Sequence, residues 1–224
     1  MSEYRALLER LDRWFAEGRR AAGGVVPCRG GCSACCHGPF DISIADAELV
    51  ETAVFALPEG DRDEVVRRAR GLLARMLELE PDWPAPYVVD ALGEERFDRL
   101  VEALASEPCP LLDDAGRCRI YHDRPLVCRM IGLGMRTPAG RVIENACPIQ
   151  EAFPDYAGLP PVPFALETFE EEELRCLRAA AGARLGDPER LDAETTIAAL
   201  VAGLNDSPSP TRRRASRSPE TSRD

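Results

Sequence analysis

Cys28-Arg29-Gly30-Gly31-Cys32-Ser33-Ala34-Cys35-Cys36 places four thiols within nine residues. The segment from Pro27 to Pro39 that contains it reads as a loop. Gly30, Gly31 and Gly38 let its backbone bend closely around a centre, where larger side chains would crowd. A wider set follows, Cys109-x8-Cys118-x9-Cys128 and then Cys147. A tight cysteine group followed by a distant one is how a fold brings four thiolates onto one tetrahedral ion or one iron–sulfur cluster. Metal binding then offsets the entropy of closing the long loop. Cys35 and Cys36 are neighbours, and neighbouring side chains on an extended backbone point apart. Eight cysteines therefore allow two four-thiolate sites, or one site with accessory thiols. The sequence leaves both open.

The rest of the composition narrows the chemistry. The 224 residues fit one domain, at 45% hydrophobic and 30% charged residues, an ordinary globular balance. All 28 basic residues are arginine. The absence of lysine excludes a P-loop lysine, a Schiff-base lysine and a lysine general base. A net charge of −11 argues against nucleic-acid binding. No secretory signal follows Met1, and no run reaches the ~18–20 apolar residues of a membrane span. A cytoplasmic protein without membrane association is expected. There, clustered cysteines more often bind metal or do redox chemistry than form disulfides.

Around the cysteines the chain reads as helical. Leu7, Leu8, Leu11, Trp14 and Phe15 share one face of a helix over 3–22, closed by Gly23-Gly24. Phe40–Ile44 is a short strand or lead-in, and Ser43 with Asp46 resembles a capping box. Helices are expected at 45–56, 60–79, 93–105, 165–184 and 188–203. Asp113-Asp114-Ala115-Gly116 and Thr137-Pro138-Ala139-Gly140 read as turns. Asp123 followed by Pro125 reads as the capped start of a short helix. The expected architecture is mainly α with an irregular cysteine-rich module containing short β-hairpins. One helical domain spans 1–204, with the metal-binding module at about 25–150. The tail 205–224, five arginines against three acids, reads as disordered.

Several residues near the thiols admit two readings. Arg124 and Arg129 flank Cys128, where a guanidinium would ease thiolate formation; the competing role is pairing with carboxylates. Tyr121 reads as core packing. His37 and His122 lie beside the cysteines, but with eight thiols neither is required as a ligand. Cys176, on a helix away from the rest, reads as a small buried hydrophobe.

The run Cys28-Arg-Gly-Gly-Cys32-Ser-Ala-Cys35-Cys36 resembles the first motif of the YkgJ-type cysteine-cluster family of zinc- or iron-chelating domains. Cys109-Pro-Leu-Leu-Asp-Asp-Ala-Gly-Arg-Cys118-Arg-Ile-Tyr121-His-Asp-Arg124-Pro125-Leu-Val-Cys128-Arg129 is similar to its second motif, and Cys147-Pro148 to its final cysteine. The resemblance covers about 28–150. It implies a bacterial protein with an eight-cysteine metal centre, Cys28, Cys32, Cys35, Cys36, Cys109, Cys118, Cys128 and Cys147, often described as iron–sulfur. A flagellin lysine N-methylase is similar in its cysteine region, an analogy that keeps methyl transfer among the alternatives.

The functional expectation is an iron–sulfur protein, with a 4Fe-4S cluster, acting in redox or electron transfer with a protein or redox partner. As an enzyme it would be an iron–sulfur oxidoreductase. The alternative is a structural zinc protein serving as an interaction module. A lower-ranked one is a radical S-adenosylmethionine enzyme, whose three-cysteine spacing Cys28-x3-Cys32-x2-Cys35 matches. That class needs repeated strand–helix units, which this sequence lacks, and Ala34 stands where an aromatic is usual.

Overall fold

The structure is a computed structural model describing residues 2–204. It is about 54% helical, with small strands in two short sheets, the mainly α class expected. The 205–224 tail and its Arg212-Arg213-Arg214 run lie outside the described residues.

Helix α1 (Ser2–Ala21) buries Tyr4, Leu7, Leu8, Leu11 and Trp14, the face set by helical spacing. The cysteine loop follows, then strand β1 (Asp41–Ser43), helix α2 (Ile44–Phe55) and helix α3 (Glu59–Leu79). Ser43 caps α2 by accepting the Asp46 backbone N–H at 3.1 Å. A short helix α4 (Val89–Leu92) precedes α5 (Glu94–Ala103), with Gly93 between them at φ +87°. Helix α6 (Leu126–Met130) carries Cys128. Strands β2 (Met135–Arg136) and β3 (Val142–Ile143) pair antiparallel across the Thr137–Gly140 turn. After the short helix α7 (Pro154–Ala157), strand β4 (Val162–Pro163) adds to β2 in parallel. Helix α8 (Leu166–Leu185) ends at Gly186 in the left-handed conformation, the usual helix stop.

The expected helix over 188–203 is shorter than its sequence suggests. Turns over 188–193 and strand β5 (Glu194–Thr196) replace its first half, and only α9 (Ile197–Ala202) is helical. The β-branched pair Thr195-Thr196 suits a strand, and β5 pairs antiparallel with the distant β1. Thr196 then caps α9 through its hydroxyl.

Burial divides among three clusters. The first gathers α1, α8, Leu133, Met135, Cys147 and Tyr156. The second gathers Ile42, α3, α9 and the Cys109–Ile120 hairpin. The third packs Leu72 and Met76 of α3 against Trp83, α4 and α5. Helix α2 is the wall between the first two: Ile44, Ala45 and Leu49 face the first, and Ala47, Val50, Ala53 and Val54 the second. Its Glu48, Glu51 and Thr52 share the remaining strip toward solvent.

Candidate metal centre

All nine cysteines are free thiols. Five of those in the two motifs fall into two neighbourhoods. The first contains Cys28 and Cys147. Cys147 is buried in the first hydrophobic cluster and Cys28 packs against it. Asn145 holds this neighbourhood together: its Oδ1 accepts the backbone N–H groups of Gly132 at 3.1 Å and Cys147 at 3.0 Å. Tyr156 donates its hydroxyl to the Gly132 carbonyl at 2.8 Å. Gly132 lies at φ +122°, and a Cβ there would stand 2.9 Å from Phe15 and 3.4 Å from the Cys28 sulfur. Only glycine leaves that space beside the thiol. Burial pushes the Cys28 thiol up to about 11, with the charges of Cys147, Cys32 and Cys35 adding to the shift.

The second neighbourhood contains Cys36, Cys109 and Cys118. Cys109 is buried in the second cluster, with Cys36 and Cys118 packed on it. The chain crosses between the motifs here: the Cys109 N–H donates to the Cys36 carbonyl at 2.9 Å, and Gly38 N–H to Glu107 at 2.7 Å. A hairpin with a Leu112–Cys118 bridge holds Cys109 beside Cys118. Asp113 supports its turn, accepting from the backbone N–H of Ala115 and of Arg117. Each hairpin thiol receives a backbone N–H from two residues on, Leu111 for Cys109 and Ile120 for Cys118. Such donors favour thiolate, although burial still pushes Cys109 up to about 12. Burial also raises Cys128, with the charges of Cys109, Cys118, Asp46 and Cys35 adding to it.

Helix α6 presents Cys128, and its cap differs from the one expected. Asp123 pairs with Arg5. The N-terminal donor is met instead by buried Asp46 of α2, which accepts the Leu126 N–H at 3.0 Å and the Tyr4 hydroxyl at 2.8 Å on Oδ1. Asp46 is 3% exposed, and burial raises its pKa against these bonds.

Cys35 and Cys36 lie at the end of a turn closed by the Cys36 N–H to Ser33 carbonyl bond at 2.8 Å. Bonding with Cys36 lowers the Cys35 thiol to about 7, and the same pairing with Cys35 raises Cys36. Arg124 adds its charge at Cys35 and Cys118, and it also pairs with Asp12 at 2.9 Å. It thus fills both roles the sequence offered. Arg129 is 3% exposed and held by Asp12 and the carbonyls of Arg124 and His122. Its work is to fix the backbone around Cys128.

Tyr121 is 55% exposed, with the Arg124 guanidinium 4.2 Å from its ring centroid, so it is not a core residue. His37 and His122 are both exposed. Cys176 is only half-buried and lines an open groove of about 400 Å³ between α1 and α8.

The fit to a metal rests on the donor set. The two motifs supply eight thiols from remote segments, with backbone N–H groups lowering two of them and glycine space beside a third. Among the described residues no three Cys, His, Asp or Glu side chains form a ready-made metal site. Binding would draw the sulfurs inward as they lose their protons.

The model of the CxxCxxCC family, described as "Putative zinc- or iron-chelating domain", matches residues 27–148. That span includes all eight thiols and more than half of the chain. The chain belongs to this family. Its first motif, Cys28-x3-Cys32-x2-Cys35-Cys36, is one residue wider than the family's label spells. No curated protein and no solved structure matches. No helix among the described residues is long and apolar enough to cross a membrane.

Sequence reasoning overlooked three supporting residues. Asn145 carried a usable signal, since an Asn two residues before a cysteine suits an Asx-type bond. Asp12 and Tyr156 carried none, because their partners are remote in sequence.

Proposed function

We propose that this zinc- or iron-chelating family member holds an iron–sulfur cluster through its clustered cysteines, and works in redox or electron transfer. The observation that carries the reading is a sulfur-only donor set partly open to water. Cys109 and Cys147 are buried, while Cys28, Cys32, Cys35, Cys36, Cys118 and Cys128 are partly exposed. Thiolate ligation suits iron–sulfur clusters, and a half-exposed edge is where a cluster exchanges electrons with a partner. The bound group would supply one-electron chemistry. The chain's own residues would hold it, tune its charge through Arg124 and the backbone N–H donors, and shield its inner side. A cytoplasmic setting and a protein redox partner belong to this reading, and nucleic acid does not.

Structural zinc is the second reading, favoured by the way the thiols tie remote segments to two hydrophobic clusters. Cysteine-only sites serve zinc as well as iron. Radical chemistry has less support. The described residues form helices and two small sheets, without the repeated strand–helix units of that class.

Protein prepared anaerobically should be brown and contain iron with inorganic sulfide. Stoichiometric zinc without sulfide would overturn the iron reading and establish the structural one. S-adenosylmethionine binding to the reduced protein would restore the radical alternative.

A further inference from the structure

In a chain with 39 acids against 28 arginines, two stretches that carry thiols hold no acid at all. The stretch 18–40 has Arg19, Arg20 and Arg29, and 124–143 has Arg124, Arg129, Arg136 and Arg141. In the second stretch Arg124 and Arg129 pair with Asp12, and Arg141 with Glu170. In the first, all three arginines are exposed. None of the three pairs with a carboxylate among the described residues.

Packing brings these free charges to the partly exposed thiols. A Cβ at Gly132 would touch both Phe15 and the Cys28 sulfur, so this part of α1 lies against Cys28. Arg19 is one turn beyond Phe15 on the same side of the helix. Arg29 follows Cys28, and its carbonyl accepts the Cys32 N–H at 2.9 Å in the turn that joins the two cysteines. Asp12, one turn before Phe15, holds Arg124, which covers the ring of exposed Tyr121. The hairpin turn touches the loop where Gly116 meets Gly31. Its acids are already engaged, Asp113 by Arg117 and Asp114 by Arg68. Between Arg124 and Gln150 the one acid is Glu144.

We propose that this face docks an acidic patch of a partner protein, whose carboxylates pair with Arg19, Arg20 and Arg29. Guanidinium forks match carboxylates closely, and arginine beside an exposed tyrosine is the composition of protein interfaces. The chain as a whole is at −11. An extended polyanion such as nucleic acid would reach past the patch into repulsion, whereas a folded partner need match only the patch. The proposal rests on the reading that the partly open thiol edge meets a protein partner.

The probe is a fluorescent oligoglutamate peptide, its anisotropy followed with the full chain as purified and the metal content measured on the same sample. The peptide should bind at about 10 mM salt and weaken steeply toward about 150 mM. R19E/R29E should lower its affinity about tenfold or more. R62E/R175E changes the net charge equally, at arginines of α3 and α8, and should lower it less than about threefold. If R19E/R29E fails to fold, R19Q/R29Q reads the same face. No binding at low salt, or equal losses in the two charge-reversed variants, would overturn the proposal. Tighter binding of an oligothymidylate of equal length would assign the face to nucleic acid and overturn it. Release of the peptide by free glutamate at the same residue concentration would assign the face to a small carboxylate. Self-association lost in R19E/R29E would assign it to a second copy of the chain, and either result overturns the proposal. Peptide binding by a sample that holds no metal would support this surface and strike the metal reading alone.

Discussion

The two thiol neighbourhoods are built by different means. The second is assembled from regular structure: a hairpin aligns Cys109 with Cys118, and backbone bonds carry Cys36 to them. The first is assembled from irregular backbone, pinned by one amide side chain and one glycine. The difference teaches where each is vulnerable. The second depends on Asp113, whose carboxylate holds the hairpin turn from within. The first depends on Asn145, close by in sequence.

Asp46→Ala offers the sharpest test of how Cys128 joins them. It strands the buried donors of Leu126 and Tyr4, at a cost of about 3 kcal/mol in chemical denaturation. Metal affinity should fall ~10–100-fold, as the helix that presents Cys128 loses its cap. Asp46→Asn keeps an acceptor and should cost less than ~1 kcal/mol. Unchanged metal affinity in Asp46→Ala would separate Cys128 from both neighbourhoods.

Asn145→Ala probes the first neighbourhood. It leaves two backbone donors without their acceptor, costs about 2 kcal/mol, and should loosen metal held at Cys28 and Cys147. A cobalt(II) titration of the chelator-treated variant would check this.

Two carboxylates are raised to about 7. Glu173 on α8 is raised by burial and then by Asp46 and Glu170. Glu194 on β5 is raised by burial and then by Asp41 and Asp90. Their folded pKa lies above the ordinary value of 4.5, so folding favours the protonated forms. That contribution is full below pH 4.5 and is lost as pH rises toward 7. Glu173→Gln and Glu194→Gln should each flatten the fall in stability across this window by about 1 kcal/mol. Unfolding curves at several pH values, each compared with the unaltered chain, would check this.

Cys176→Ser should do least. It should leave metal content unchanged and stability within ~0.5 kcal/mol, as measured by metal analysis and thermal unfolding. A loss of metal would mean that Cys176 belongs with the other thiols.

Much of this was legible in the sequence. Helical periodicity gave α1, α3 and α8 to within one or two residues, and the Asp113–Gly116 and Thr137–Gly140 turns stand where glycine and proline put them. The family was legible because cysteine spacing is local. What escaped was long-range pairing. Thr195-Thr196 becomes a strand because β1 lies beside it, and nothing in 188–203 announces that partner. The α6 cap fell to Asp46 instead of Asp123 for the same reason: a neighbouring helix outcompeted the local side chain. The placing of Cys28 and Cys147 on one core and of Cys36, Cys109 and Cys118 on another depends on α2 standing between them, a fact of packing rather than of spacing.

X-ray absorption at the edge of the metal retained by anaerobically purified chain tests the central claim most directly. An iron edge with an all-sulfur first shell and an iron–iron vector is the predicted result. A first shell of nitrogen and oxygen, at any metal's edge, would contradict ligation by these cysteines.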